Sequence, residues 1–157
     1  MRQIFKVILV LSCLFCLYLV YNHFTYDFYY TNGEKDGHVV TSANEQYSAQ
    51  VYYQNYGGAA GGVNTFVNVT FHLEGDLERT VYFSDAKGRV QLNWLDDELL
   101  SIANYDEYGD RSIALVVGKE IYDEQGTACH TYKIKRDYVC YSKENVKEVI
   151  EKTSMFN

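Results

Sequence analysis

The stretch GVNTFVNVTFHLE at residues 62–74 decides the fold class. Val63, Val67, Val69, Phe71 and Leu73 fall on one side of an extended chain, and Asn64, Asn68, Thr70, His72 and Glu74 on the other. A period of two kept over so many residues is that of a half-buried β-strand. Upstream, residues 46–55 repeat it: Tyr47, Ala49, Val51 and Tyr53 share one face, and Ser48, Gln50 and Gln54 share the other with Tyr52. The YGGAAGG run at residues 56–62 joins the two as a hairpin loop. Its glycines do not make a phosphate cradle, because the G-x-G-x-x-G spacing, a following Lys-Ser or Lys-Thr and an amphipathic helix are all missing.

Working outward, the sequence predicts further strands at residues 78–84, 89–94, 98–103 and 113–117, with turns at Asp85-Ala86-Lys87-Gly88 and at Asp96-Asp97. Residues 127–133 and 137–141 read as a second hairpin. Ser142 is placed to cap a helix over residues 143–152, where Val146, Val149 and Ile150 form one apolar stripe. Residues 25–43 hold two turn dipeptides, Asn32-Gly33 and Asp36-Gly37, and read as a stalk outside the core. With 16 tyrosines, no proline and room for one small domain in 157 residues, the composition suits half-buried strands.

The start of the chain has a different character. Residues 7–21, VILVLSCLFCLYLVY, carry no charge, and Ile4 and Phe5 extend the apolar run past Lys6. About 18 residues at about 1.5 Å each span roughly 27 Å, close to the hydrocarbon thickness of a bilayer. Arg2 and Lys6 precede the run and Asp27, Glu34 and Asp36 follow it, which by the positive-inside rule puts the N-terminus in the cytoplasm. A cleaved signal peptide is the competing reading. Tyr21, Asn22, His23 and Phe24 are too bulky for its usual small-x-small cleavage site, and Leu11 and the short run before Cys13 argue against a lipobox. The expected organisation is a cytoplasmic start and transmembrane anchor at 1–24, a juxtamembrane stalk at 25–43 and an extracytoplasmic β-rich domain at 44–157. The predicted fold class is therefore mainly β: an N-terminal transmembrane helix, then a small antiparallel β-sheet domain with one C-terminal helix.

In this order, SANEQY at residues 42–47, a Tyr-rich strand, a Gly-Gly-Ala loop, a Val-rich strand, TVYF at 80–83 and LNWLDDELLSIAN at 92–104 resemble a family of small membrane-anchored extracytoplasmic proteins of Gram-positive bacteria. That family is classed as a domain of unknown function. The resemblance covers about Ser42 to Asn104 and implies a bacterial envelope location, with no reaction and no catalytic residues to carry over. After Tyr105 the chain departs from the short ending of that family, so residues 129–157 read as an elaboration.

Candidate chemistry is sparse. Cys129 and Cys140 are the cysteines outside the apolar run, and an oxidising exterior permits a disulfide between them; two separate thiols are the alternative. Cys129 next to His130 invites a thiol-imidazole pair, but neighbours on a strand point to opposite faces. His23, His38, His72 and His130 show no zinc-binding spacing, and the acidic groups Asp96-Asp97-Glu98, Asp106-Glu107 with Asp110, and Asp123-Glu124 lack the Asp-x-Asp-x-Asp-Gly pattern of a calcium loop. No metal or cofactor is expected. Trp94 reads as a core anchor. Tyr52, Tyr53, Tyr56 and Tyr82 are a possible exposed aromatic face for peptide or glycan contact, unless their hydroxyls only edge the core.

Charge narrows the partners. Fourteen Lys and Arg against 21 Asp and Glu give −7, which argues against nucleic acid; without Arg2 and Lys6 the outward part carries −9. The expected function is a non-enzymatic cell-envelope interaction or sensing module with an envelope protein partner. One alternative is an immunity or inhibitor protein that binds a cationic partner through the acidic surface. Another is an envelope hydrolase, which would need a deep pocket gathering carboxylates or histidines.

Overall fold

A computed structural model of the chain describes residues 2–24, 28–58, 61–131 and 138–144. Helix α1 (Arg2–Phe24) is built from Leu, Ile, Val and Phe with neither Gly nor Pro to interrupt it. Its window Ile4–Tyr21 is exposed throughout and is long and apolar enough to cross a bilayer, a property shared by membrane anchors and signal sequences.

The rest of the described chain is mainly β. Strands β1 (Glu34–Thr41), β2 (Tyr47–Tyr56), β3 (Gly62–Phe71), β4 (Leu77–Asp85), β10 (Glu120–Asp123) and β11 (Val139–Tyr141) form one sheet in that spatial order. Strands β5 (Gln91–Trp94), β6 (Leu99–Ala103) and β9 (Ile113–Val116) form a second sheet, and β7 (Tyr105–Asp106) pairs with β8 (Gly109–Asp110) in a small hairpin. The face of β2 holding Ala49 and Val51 meets Val67, Val69 and Phe71 of β3 and Leu100, Ile102 and Leu115 of the second sheet in one buried core. Alternation along each strand places these residues inward, and burying each large aliphatic side chain contributes roughly 1.5–3 kcal/mol. Trp94 sits at the edge of this core, stacked on Tyr47 at 5.9 Å, with its Nε1–H donated to the Val40 carbonyl.

The first hairpin forms in the register the sequence pattern demands, with Tyr47 opposite Phe71 and Tyr56 opposite Gly62. Strand β3 stops at Phe71, and His72–Glu74 makes one 3-10 turn closed by Gly75 at φ 75°. Leu73 therefore leaves the alternating face on which it was expected and is 78% exposed.

Two expectations need correction. Residues 25–43 are not a stalk in their described part: residues 34–41 are the edge strand β1, and Phe28 is 4% exposed in a second apolar cluster with Tyr52, Phe66, Phe83, Ile121 and Ala128. Residues 28–33 lie as a strap on the outer face of the large sheet. The Phe28 carbonyl accepts from Thr80 N–H, Tyr30 N–H donates to Thr80 Oγ1, and Asn68 Nδ2 donates to the Tyr30 carbonyl. The glycines that suggested turns serve packing instead: a Cβ on Gly33 would lie 2.8 Å from the Phe66 ring, and Gly37 has φ 69° inside a bulge of β1 between Asp36 and Val40. The described residues of the hairpin expected at 127–133 and 137–141 do not form it: α2 (Thr127–His130) is a single helical turn and β11 pairs parallel to β10, while residues 132–137 lie outside the described residues. The expected mainly β fold with a helix toward the C-terminus is what the structure has, that helix being the short α2; the span 143–152 where a helix was also expected lies outside the described residues from 145 onward.

Candidate functional site

At the end of the domain where β1 turns into β2 and β5 into β6, two loops meet around an open cleft of about 530 Å³ lined by Asn44, Gln46, Asp96, Asp97, Glu98 and Leu99. Local hydrogen bonds shape both loops. Asn44 Oδ1 accepts from Ser42 Oγ at 2.8 Å and from Gln46 N–H at 3.0 Å, while Asp96 Oδ1 accepts from the N–H groups of Glu98 at 2.8 Å and Leu99 at 2.6 Å. Short polar side chains that bond their own backbone two residues on are what such turns require. Asp97 and Glu98 are left at the rim, Glu98 paired with Lys119 Nζ at 3.0 Å. The two segments that carry the family resemblance, SANEQY and LNWLDDEL, thus line one cleft. Its three acids are consecutive on one turn and do not face each other across a gap, as a two-carboxylate cleavage would need. Among the described residues no three His, Cys, Asp or Glu side chains gather to hold a metal ion.

A second constellation has no sequence signature. Ser48 Oγ lies 2.8 Å from His72 Nε2, and His72 Nδ1 lies 2.6 Å from Asp76 Oδ1. This is the connectivity of a serine nucleophile with its base and orienting acid. The surroundings point to another role. Ser48 sits near the start of β2, one strand in from the edge and flanked by strands on both sides, paired with Thr41 on one and Thr70 on the other, and Tyr47 N–H is donated to Ser42 Oγ. Backbone donors committed in this way cannot turn toward an oxyanion at Ser48. The pair His72–Asp76 is open to solvent, and Thr41 Oγ1 shares the Ser48 hydroxyl at 3.1 Å. The three residues tie the β3–β4 turn to the edge of the sheet. Only the His72–Asp76 spacing of four was visible in the sequence; Ser48 is brought in by strand pairing across 24 residues.

At the opposite end, a polar seam joins the large sheet to the loop after β6. Glu124 accepts from Ser84 Oγ at 2.6 Å, from Asp85 N–H at 2.8 Å and from Arg111 Nε at 2.7 Å. Burial alone would raise the Glu124 pKa, but these three donors and the Arg111 charge outweigh it and hold the carboxyl below its usual range. Asn104 Nδ2 donates to the Tyr82 hydroxyl, which donates to the Arg111 carbonyl. Tyr122 stacks on Tyr82 at 5.1 Å, and its hydroxyl is buried with no partner among the described residues. Burial, with the Glu124 charge adding to it, pushes the Tyr122 pKa up to about 12.

The four tyrosines considered as an aromatic face are not brought together. Tyr82 is fully buried in the core and Tyr52 is buried on the opposite face of the sheet, stacked on Phe66 at 4.9 Å. Tyr53 is half-buried and gives its hydroxyl to Val90 N–H as acceptor, so of the four only Tyr56, 47% exposed, stands largely in solvent. Strand alternation sends Tyr52 and Tyr53 to different faces. Cys129 and Cys140 are joined in a disulfide that fastens α2 to β11.

These features describe a β domain of two packed sheets carried behind an apolar N-terminal helix. The chain belongs to the family of unknown function DUF5412, whose model matches residues 1–127. The match runs past Tyr105, so the chain does not leave the family's pattern directly after Tyr105, as the resemblance had implied. No curated protein and no solved structure matches the chain.

Proposed function

We propose that the protein is a single-pass, N-in anchored module on the outer side of a Gram-positive bacterial membrane, where it binds a cationic partner in the envelope without catalysing a reaction. The observation that carries this reading is the meeting of the Asn44 and Asp96–Glu98 loops around one open, acid-lined cleft. An exposed apolar helix of bilayer-crossing length supports the anchor, and Arg2 and Lys6 ahead of it support the orientation. A net charge of −7 favours a basic protein or peptide and disfavours nucleic acid. Rim carboxylates in high dielectric act mainly on encounter rate and specificity, so the binding weakens with salt.

The test is photo-crosslinking in intact cells from Gln46, within the cleft, with identification of the joined protein. Recovery of one basic partner, lost in the double variant Asp97→Asn, Glu98→Gln and at raised salt, is the expected result. Retention of the same crosslink in that variant would refute the cleft as the binding surface.

A further inference from the structure

We infer that the Cys129–Cys140 disulfide is a redox latch on the acid-lined cleft, holding Lys119 against Glu98 as an internal cation until reduction frees that carboxylate for the partner; this rests on the cleft as the binding surface. The acid and the cation are fixed by different parts of the fold. Asp96–Glu98 belongs to the second sheet. Leu95 N–H is donated to the Leu99 carbonyl at 2.9 Å, Asp96 Oδ1 accepts from the N–H groups of Glu98 and Leu99, and the Glu98 carbonyl accepts from Val117 N–H at 2.8 Å. None of these bonds involves α2 or β11.

Lys119 is placed from the other side. Its Nζ lies 3.0 Å from Glu98 Oε2, and its carbonyl accepts from Val139 N–H of β11 at 2.8 Å. Beside it, Glu120 accepts from the Tyr141 hydroxyl of β11 at 2.9 Å through one carboxylate oxygen. Through the other it accepts, at 2.8 Å, from the N–H of Val116, which lines the cleft. Only Tyr122 and Asp123 of β10 are in register with β4, so Glu120 and Ile121 have β11 as their strand partner among the described residues.

Strand β11 in turn depends on the cystine. It has three residues, none of them buried, and the exposed Lys143 beyond it adds an ion pair to Glu124 at 3.6 Å. So short an edge strand buries too little to hold itself, and the disulfide ties it to α2, whose Ala128 is buried. Reduction by a dithiol takes two exchanges. One thiolate attacks a sulfur of the cystine, which breaks the S–S bond and forms a mixed disulfide; the second thiolate then displaces the remaining cysteine. The reductant leaves as a disulfide, and Cys129 and Cys140 take up its two protons. Strand β11 then frays, the backbone of Lys119 and Glu120 loses its tie, and the Lys119–Glu98 pair opens while the second sheet keeps Glu98 in place. An exposed ion pair of this kind corresponds to a gain of about two- to fivefold in affinity when it opens.

The test measures binding of a fluorescein-labelled octalysine peptide, by anisotropy, to the full-length protein in neutral detergent, oxidised and after dithiothreitol. The reduced protein should bind about two- to fivefold tighter, with Trp94 emission unchanged because β5 and the rest of the second sheet stay folded. Cys129→Ser with Cys140→Ser should bind like the reduced form, and Lys119→Met, which lacks the internal cation, should bind equally in both states. Equal or weaker binding by the reduced parent, a redox dependence that persists in Lys119→Met, or a Trp94 shift on reduction overturns the latch; the cleft stands as long as Asp97→Asn with Glu98→Gln still abolishes binding. Binding that this double variant leaves unchanged overturns both.

Discussion

Truncating Phe28 tests whether the segment after the apolar helix is part of the fold. Phe28 is 4% exposed, packs with Tyr52, Phe66, Phe83, Ile121 and Ala128, and meets Tyr30 edge-to-face at 5.7 Å. Phe28→Ala keeps the backbone bond to Thr80 and removes the ring, so the loss is that of a buried aromatic side chain, about 3–5 kcal/mol. With a urea m-value of about 2 kcal/mol/M for a domain of this size, the unfolding midpoint falls by roughly 1.5–2.5 M. Trp94, the single tryptophan of the chain, reports the transition by fluorescence in the detergent-solubilised protein. Val39→Ala, on the same segment but at a side chain 56% exposed, is the internal comparison and should stay within about 0.5 kcal/mol. A Phe28→Ala midpoint as close to the parent as that of Val39→Ala would refute the strap and restore a stalk.

Three further outcomes follow from the polar and covalent features. Replacing Cys129 and Cys140 by Ser opens a loop of 11 residues and lowers stability by about 3 kcal/mol in the chain-entropy model, measured by urea unfolding with and without reductant. Glu124 has a lower pKa folded than unfolded, so its contribution is present above the ordinary carboxylate range and is lost as pH falls through the folded value. Unfolding midpoints between pH 6 and pH 3 should therefore fall more steeply for the parent than for Glu124→Gln. Tyr122→Phe removes a buried hydroxyl that has no partner among the described residues and should raise stability by about 1 kcal/mol. It should also remove one tyrosine that ionises near pH 12 from the ultraviolet alkaline titration.

Strands with one face in a core were legible from the sequence, because alternation alone places Ala49, Val51, Val67 and Val69 inward. Strand β1 was hidden by Gly33 and Gly37, which look like turn punctuation but answer to a close ring and a bulge. The parallel pairing of β10 with β4 and β11 was hidden as well, since local pattern cannot tell a long-range parallel partner from the nearer hairpin. The cleft was half legible: Asn44 and Asp96 announce turns, but nothing local says that the two turns meet. Tyr52 and Tyr82 misled because a tyrosine's polar tip gives no sign of how deeply its ring is packed.

The bulge in β1 has a bearing on crowding. Proteins confined to a plane collide far more often than the same number in bulk, and an outermost strand with a straight row of unpaired amides invites neighbours to join it edge to edge. Here the first strand breaks its regular spacing between Asp36 and Val40, and the opposite border is a strand of only three residues stapled by a cystine. Among the described residues neither border offers a long flat template, so on the anchored reading proposed above many copies would share a small area of surface without polymerising into a ribbon.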